Sequence, residues 1–162
     1  MLKYVILIPC YNDWKCLNLL IPQIDEVLTN IQNKLSILVI NDGSSIKNNL
    51  VFNNLKNIKK VDVLNLKRNV KAQIAIATGL DYLKNINYQG GIIVMDADGQ
   101  DDPDVIKKII NSSANDEEDT ITVNRTKRED DLFFKFFYQI YLLLTYILTF
   151  KYMKFGVFSY IH

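Results

Sequence analysis

Five carboxylate side chains lie within nine residues of one stretch of the sequence: Asp96, Asp98, Asp101, Asp102 and Asp104. Like charges this close oppose folding unless a positive charge lies among them. Asp96 and Asp98 are two residues apart, so an extended backbone points both to the same side. Carboxylate oxygens are the ligands that Mg²⁺ and Mn²⁺ prefer, and such an ion also binds a diphosphate. We therefore expect a divalent metal at the first two carboxylates.

The rest of this acidic run has the residue types of a turn that leads into a helix. Gly99 permits a sharp turn, and Gln100 adds a neutral oxygen as a further metal ligand. Asp102 is suited to cap a helix whose first residue is Pro103. The alternative is that the acids are only caps and a solvated turn, and we favour that alternative for Asp102 and Asp104. It is weaker for the first two carboxylates, because they directly follow an apolar run.

The elements that must position these residues alternate between strands and helices. Four short β-branched runs, at 4–8, 35–40, 61–66 and 91–95, have the length and composition of strands buried on both faces of a parallel sheet. Helical spacing occupies 17–31, 47–57 and 72–83, and Pro22 suggests that the first helix starts near it. A fifth strand is expected at 120–123. This alternation predicts a doubly wound α/β sheet.

Ligands of such sheets bind at the carboxyl ends of the strands. The residues that follow the four runs are polar in every case and include acids, bases and an aromatic ring. They are 9–13, 41–45, 67–71 and 96–102. We therefore expect these four loops to form one binding site.

Four stretches in these loops resemble glycosyltransferase family 2, the inverting transferases of the GT-A fold. They read VILIPCYN at 5–12, VINDGSS at 39–45, Arg68-Asn69 through Gly79-Leu80, and Met95 through Pro103. The resemblance covers residues 3–128, and a weaker likeness continues over 155–159. Its nearest branch contains the polyprenyl-phosphate sugar transferases, such as dolichol-phosphate mannose synthase. It implies a GT-A fold, a mostly parallel Rossmann-like sheet flanked by helices.

The resemblance implies a role in binding a nucleotide-sugar donor for several residues. Pro9 and Tyr11 match the platform under the nucleotide base, where an aromatic ring is physically sensible. Asp42 matches the acid that accepts a hydrogen bond from the base, and Arg68 matches a position near the donor. For Tyr11 the alternative is ordinary loop packing, and for Arg68 it is a surface charge.

Two positions depart from the family pattern. Asn41 replaces the usual first acid of its pair, and we do not assign it to the site. Lys71 and Ala72 stand where relatives often have glycine and then histidine or lysine, whereas Gln73 fits the pattern. These departures concern the donor side of the expected site.

The same resemblance makes Asp96 and Asp98 the donor and metal aspartates, with Gln100 as a further ligand of Mg²⁺ or Mn²⁺. Arg125 follows the expected fifth strand, together with Lys127 and Arg128. Basic residues in this region of relatives meet donor or acceptor phosphates, a task suited to the planar guanidinium. A solvated basic turn is the alternative.

The implied reaction is an inverting sugar transfer from a nucleotide-sugar donor, with a polyprenyl phosphate as the acceptor of the nearest branch. The sequence identifies no general base, so the catalytic residues stay unknown. A second hypothesis is a non-catalytic donor-binding fragment. A third, weaker hypothesis is a phosphohydrolase with Asp96 as nucleophile and Asp98 as acid. It leaves Tyr11 and Asp42 without a role.

The last part of the chain differs from the rest in composition. Residues 132–150 are apolar and aromatic with one lysine and one glutamine, and basic residues flank them. Such a segment fits a helix that lies in a membrane interface. Core packing and a membrane span are the alternatives. We expect a nucleotide-sugar-binding domain at 1–128, and an amphipathic helix with the incomplete start of an acceptor region at 129–162.

The composition excludes some classes of protein. Of 162 residues, 49% are hydrophobic and 23% are charged, which is typical of a globular domain, and the net charge of +1 gives no general attraction to nucleic acid. Cys10 and Cys16 are too few for a disulfide framework, so we expect reduced thiols and a cytoplasmic protein, with the cytoplasmic face of a membrane as the alternative location. The amino terminus lacks a signal-peptide pattern. A partial chain is an open alternative. The sequence does not determine the oligomeric state.

Overall fold

A computed structural model of the chain describes residues 4–29, 35–52, 54–115, 120–122, 132–149 and 158–161. Strands and helices alternate through most of this part of the chain, as the sequence predicts. The elements are β1 (Tyr4–Cys10), α1 (Trp14–Val27), β2 (Leu35–Asn41), β3 (Ile58–Asn65), α2 (Ala72–Asn85), β4 (Gly91–Val94), α3 (Asp104–Asn115), β5 (Thr120–Thr122), α4 (Leu132–Thr149) and β6 (Ser159–Ile161).

The strands form one sheet in the order β3-β2-β1-β4-β6-β5. The first four are parallel, and the long register of β1 with β2 runs from Tyr4 opposite Leu35 to Cys10 opposite Asn41. Every residue of β1 is buried, which explains its uninterrupted apolar sequence. Because the parallel strands end at the same edge, the polar loops that follow them are brought together. The predicted mostly parallel α/β sheet is confirmed.

Helices cover both faces of the sheet. On one face the side chains of α1 and α3 pack against alternate residues of β1, such as Ile6 and Ile8. On the other face α2 packs against Val5 and Leu7. Gly79 allows α2 to approach closely, since a Cβ atom there would lie 2.6 Å from Cδ1 of Leu7. This close packing fixes the position of α2 against the sheet.

The far edge of the sheet is antiparallel. Strand β6 pairs antiparallel with both β4 and β5, and thus lies between them. Gly91 makes room for it, because a Cβ atom there would lie 2.4 Å from the Tyr160 ring. The part of the chain expected as a separate tail, 129–162, therefore contributes a strand to the same sheet. The division at residue 128 stays a prediction.

Helix α1 begins earlier than the sequence suggested. The expected start near Pro22 is wrong, because the helix begins at Trp14 and contains Pro22. A proline inside a helix costs about 3 kcal/mol. The buried side chains of Leu17, Ile21 and Ile24 offset this cost, since leaving them outside the core would expose three large apolar groups.

The connection between β2 and β3, residues 42–57, contains no helix within its described residues. The helical expectation for 47–57 is therefore wrong. This connection is instead hydrogen-bonded to α1. The Trp14 indole donates to the Ile46 carbonyl at 2.9 Å, and the Asn18 side chain bonds the backbone of Asn49 and Val51. Such long-range bonds override the weak helical spacing of an asparagine-rich segment.

The end of this connection is held by Asp25. Its carboxylate accepts hydrogen bonds from the backbone N–H groups of Lys56, Asn57 and Ile58 at 2.9, 2.8 and 2.7 Å. Burial of the carboxyl opposes its ionisation, but these donors outweigh burial and lower the pKa of Asp25 below its ordinary value of 3.8. Asp25 thus fixes the entry into β3.

Helix α4 lies in the aromatic segment and carries many exposed apolar side chains. They include Phe137, Leu143, Leu144 and Ile147, whereas Leu142 is buried. Among the residues that the structure describes, no helix combines the length and hydropathy needed to cross a membrane.

Candidate functional site

A cleft of about 270 Å³ lies at the carboxyl ends of β1, β2 and β4. We call it the carboxyl-edge cleft. It is lined by Pro9, Cys10, Tyr11, Asp13, Asp42, Ala72, Asp96, Ala97 and Asp98. The predicted site residues Pro9, Tyr11, Asp42, Asp96 and Asp98 are therefore brought together by the fold.

Three other predicted site residues are not among those that line the cleft. Gln100 and Arg68 are exposed in the loops after β4 and β3, outside the lining. Arg125, with Lys127 and Arg128, lies outside the described residues. Their expected roles stay predictions.

The loop after β1 presents an aromatic ring at the cleft. Tyr11 is 46% exposed, so its side chain is accessible to a ligand. The next residue, Asn12, has a φ of +64°, a conformation that asparagine tolerates better than most residues. Its backbone N–H donates to Ser44 Oγ at 2.9 Å, and its side chain accepts from the Ile46 N–H at 2.9 Å. Asn12 thus joins this loop to the loop after β2, a role that the sequence analysis missed.

The loop after β2 is tied to the loop after β3 by a buried carboxylate. Asp42 is only 2% exposed, and its two oxygens accept from the N–H groups of Val70 at 2.7 Å and Lys71 at 2.9 Å. Gly43 has a φ of +65°, and a Cβ atom there would lie 2.4 Å from the carbonyl carbon of Arg68. The two loops are therefore in direct backbone contact.

Lys71 has a backbone conformation that is costly for its residue type. Its φ is +75° and its ψ is 153°, a region occupied almost only by glycine, where other residues carry about 1–3 kcal/mol of strain. The departure from the family pattern noted at this position in the sequence therefore has a physical consequence. Helix α2 starts directly after Lys71, and no side chain caps the start of this helix. Its first residue, Ala72, lines the cleft.

The loop after β4 is folded around two of its own carboxylates. Asp101 is buried, and its Oδ2 lies 3.4 Å from the backbone N of Asp96. Asp98 accepts from the Gln100 N–H at 3.0 Å, and the φ of +75° at Gly99 makes this turn possible. The sequence did not distinguish Asp101 from its neighbours, since only the folded loop turns it inward.

The last two carboxylates of the run belong to the start of α3. The side chain of Asp102 accepts from the backbone N–H of Asp104 at 2.9 Å, as a capping residue does. The helix begins at Asp104, one residue later than the expected start at Pro103. Oδ1 of Asp104 also lies 3.7 Å from Nζ of Lys107, one turn along the helix. Asp96 and Asp98 thus line the cleft, whereas Asp102 and Asp104 lie at the start of α3.

The charge of the cleft determines what it can bind. Among the described residues that line it, Asp13, Asp42, Asp96 and Asp98 carry carboxylates and none is basic. No group of three metal-ligating side chains occurs in the described part of the chain. The pair Asp96 and Asp98 nevertheless fits Mg²⁺, which keeps several waters and binds one or two carboxylates together with substrate phosphates. The described lining residues alone would therefore repel an anionic ligand unless a cation accompanied it.

Cys10 also lines the cleft but is chemically inert. The residue is 2% exposed, and burial raises the pKa of its thiol from 9.0 to about 11. Only the thiolate is a nucleophile. Cys10 therefore contributes to the shape of the cleft rather than to its chemistry.

A larger cleft, of about 500 Å³, lies between α1 and residues 51–57. Its buried carboxylate, Asp25, is already bound by three backbone N–H groups at the start of β3. This cleft thus lies at the amino end of a parallel strand, away from the edge where such sheets bind ligands. We assign the candidate site to the carboxyl-edge cleft.

Comparison with known sequences identifies relatives over nearly the whole chain. The model of the family described as Glycosyl transferase family 2 matches residues 5–161. The uncharacterized glycosyltransferase YkcC of Bacillus subtilis (strain 168) is 31% identical over 135 residues, 83% of this chain and 40% of the relative. The uncharacterized glycosyltransferase sll0501 of Synechocystis sp. is 32% identical over 106 residues, 65% of this chain and 32% of that protein. The chain thus spans less than half the length of either relative.

Solved structures are similar in fold. S. aureus TarS 1–349 in complex with UDP-GlcNAc has a TM-score of 0.56 and 14% identity, over 80% of this chain and 37% of TarS 1–349. The complex of the same protein with UDP has a TM-score of 0.52 and 14% identity, over 80% of this chain and 38% of that one. At this identity the likeness shows the fold alone, and it confirms the GT-A fold expected from the sequence.

Proposed function

Because the chain belongs to glycosyl transferase family 2, we propose that its carboxyl-edge cleft binds the nucleotide-sugar donor of a sugar transfer. The observation that carries the proposal is the meeting of Tyr11, from the loop after β1, with Asp96 and Asp98, from the loop after β4, in one cleft. A protein of the same fold, TarS, binds UDP-GlcNAc, which supports a nucleotide sugar as the ligand class.

In this proposal the cleft divides the donor between an aromatic and an acidic part. Pro9 and the half-exposed ring of Tyr11 contact the nucleoside, where stacking on a base is favourable. Asp96 and Asp98, with Gln100 as a further ligand, hold Mg²⁺ or Mn²⁺ together with the diphosphate. When bound, the ion would neutralise charge on the departing nucleoside diphosphate. Arg68 and Arg125 are proposed to add positive charge near the phosphates.

The proposed reaction is a single in-line displacement with inversion. An acceptor oxygen forms a bond to the anomeric carbon, while the bond from that carbon to the diphosphate oxygen breaks and its electron pair leaves with the nucleotide. We propose a polyprenyl phosphate as acceptor, as in the branch that the sequence resembles. A phosphate oxygen is already ionised at neutral pH, so the described residues need not supply a general base.

The acceptor class also gives α4 a proposed role. Its exposed apolar side chains, such as Leu143 and Leu144, suit a helix that lies in a membrane interface, where a polyprenyl phosphate resides. Flotation with anionic vesicles tests this role. We expect the chain to float with the vesicles and a Leu143→Lys, Leu144→Lys variant to stay behind, and equal flotation of the two would contradict the role.

One set of measurements separates the proposed transferase from its alternatives. UDP and GDP are titrated with and without Mn²⁺, and sugar transfer and phosphate release are then assayed. Metal-dependent nucleotide binding with sugar transfer supports the proposal, and binding without transfer supports a donor-binding fragment. Phosphate release from simple phosphomonoesters with no nucleotide preference would support the phosphohydrolase, which the family membership disfavours.

A further inference from the structure

The carboxylate of Asp42 is not exposed to solvent as that of an ordinary surface acid is. It is almost completely buried in the wall of the carboxyl-edge cleft. Both of its oxygens accept backbone hydrogen bonds, from Val70 at 2.7 Å and from Lys71 at 2.9 Å. Hydrogen bonds to a charged carboxylate are stronger than bonds between neutral groups, so they restrain both the carboxylate and the backbone that donates to it. Asp42 therefore sets the position of the loop after β3 relative to β2.

Lys71, which donates one of these bonds, has a strained backbone conformation. The Lys71 N–H is shared between Asp42 Oδ2 and Asn69 Oδ1, at 2.9 and 3.1 Å. The Lys71 carbonyl accepts from the Ala75 N–H at 3.0 Å, so the same residue starts α2. Its conformation of φ +75° is disfavoured for lysine and persists only if its surroundings impose it.

Two sets of contacts impose this conformation on Lys71. The two bonds to Asp42 pull the backbone of Val70 and Lys71 toward β2, while Gly43 contacts the backbone of Arg68 closely enough to exclude even a Cβ atom. The next residue, Ala72, lines the cleft. A release of Lys71 would therefore move the wall of the cleft itself.

We infer that Asp42 is a positioning residue for donor binding, whose carboxylate holds Lys71 in its left-handed conformation and thereby shapes the wall of the cleft at the start of α2. This inference rests on the proposed function for its ligand. It differs from the role that the resemblance implies, in which the Asp42 carboxylate contacts the base. The two roles make opposite predictions for a double variant.

The first variant is Asp42→Asn, tested in the whole chain. The amide has nearly the same size, but only one of its two terminal atoms can accept a hydrogen bond. Titrations of UDP and GDP in the presence of Mn²⁺ should show about tenfold weaker binding of the preferred nucleotide than in the wild type. Hydrogen exchange of the Val70 and Lys71 amides should accelerate, because one of the two loses its acceptor.

The second variant adds Lys71→Gly to Asp42→Asn. Glycine occupies the left-handed conformation without strain, so the loop no longer needs the full carboxylate to hold it. Nucleotide affinity should return to within about threefold of the wild type. If Asp42 contacts the base directly, the glycine cannot replace that contact. Affinity as weak as in the single variant would therefore overturn the inference.

Asp25→Asn is the matched control, since Asp25 is also a buried carboxylate bound by backbone N–H groups but lies outside the cleft. It should lose stability and retain nucleotide affinity, and an equal loss of affinity would overturn the positioning role. A wild-type chain that binds neither UDP nor GDP contradicts the proposed function. The inference is then decided by amide exchange, and unchanged exchange of Val70 and Lys71 in Asp42→Asn overturns it.

Discussion

At the residue scale, the loops of this protein are organised by side-chain oxygens that face backbone N–H groups of a neighbouring segment. Asn12 does this between the loops after β1 and β2, and Asp42 does it between the loops after β2 and β3. Asp25 does the same at the entry to β3. A polar side chain buried with such partners stabilises the fold, whereas removal of its acceptor leaves the donors unsatisfied.

Asp25→Asn should lower the free energy of unfolding by about 1–3 kcal/mol at neutral pH, because the amide can accept fewer of the three backbone bonds. The lowered pKa of Asp25 adds a pH dependence. Its extra stability is fully present above the ordinary pKa of 3.8, and it is lost as the pH falls below that value through the lower pKa of the folded state. Urea unfolding of both proteins at several pH values measures this effect.

The variant provides its own control for the pH effect. Since asparagine does not titrate, the difference in stability between the two proteins should shrink as the pH falls below 3.8. A difference that stays constant down to the acid limit of folding would show that ionisation of Asp25 does not contribute.

Cys10 and Cys16 should react with iodoacetamide at different rates. The pKa of the Cys10 thiol is raised to about 11, so little thiolate is present at pH 8, and the side chain is also buried. Cys16 is partly exposed and should be alkylated first in the folded chain. Peptide mass spectrometry after short exposure gives both rates, and faster labelling of Cys10 would contradict its burial.

Residue types predicted most of the cleft, but not how its side chains are used. Pro9, Tyr11, Asp42, Asp96 and Asp98 were identified because each follows a strand and matches a family motif, and all five line the cleft. Three roles had no signal in the sequence, namely the link of Asn12 to the loop after β2, the inward turn of Asp101, and the acceptance of the Lys71 N–H by Asp42. The roles of Asn12 and Asp42 depend on hydrogen bonds between loops, and that of Asp101 depends on how its own loop turns.

At the scale of elements, those that local residue properties stabilise could be predicted from the sequence, whereas a segment held by distant residues could not. Strands β1 and β2 and helix α2 were predicted close to their observed bounds, because their apolar runs or helix-forming residues are local properties. The segment 47–57 was predicted wrongly as a helix. Its conformation is determined by Trp14, Asn18 and Asp25, which lie about 30 residues earlier in the chain.

Helix α1 tests whether the packing of buried side chains maintains an element that contains an unfavourable proline. Pro22→Ala should raise the free energy of unfolding by about 1–2 kcal/mol, because it restores an N–H group to the helix interior at an exposed position. The matched control is Leu19→Ala, at a position of the same helix that is 70% exposed, which should change stability by less than about 0.5 kcal/mol. Urea unfolding measures both, and destabilisation by Pro22→Ala would show that proline is part of the packing of α1.

At the scale of the whole molecule, one sheet unites the family motifs with the end of the chain. Strand β6 lies between β4 and β5, so the segment after the aromatic helix returns to the sheet that carries the carboxyl-edge cleft. The family match over residues 5–161 agrees with this continuity. Under the proposed function, the net charge of +1 means that an anionic donor would be bound by local groups and a cation rather than by the overall charge of the chain.

Metal-dependent nucleotide binding at the acidic loop tests the central claim most directly. Calorimetric titration of UDP and GDP, with and without Mn²⁺, should show Mn²⁺-dependent binding of one nucleotide to the wild type. Asp98→Ala should abolish the metal-dependent part, whereas Asp104→Ala should retain it, because Asp104 belongs to the start of α3 and does not line the cleft. Unchanged metal-dependent affinity in Asp98→Ala, or binding that never depends on Mn²⁺, would contradict the account.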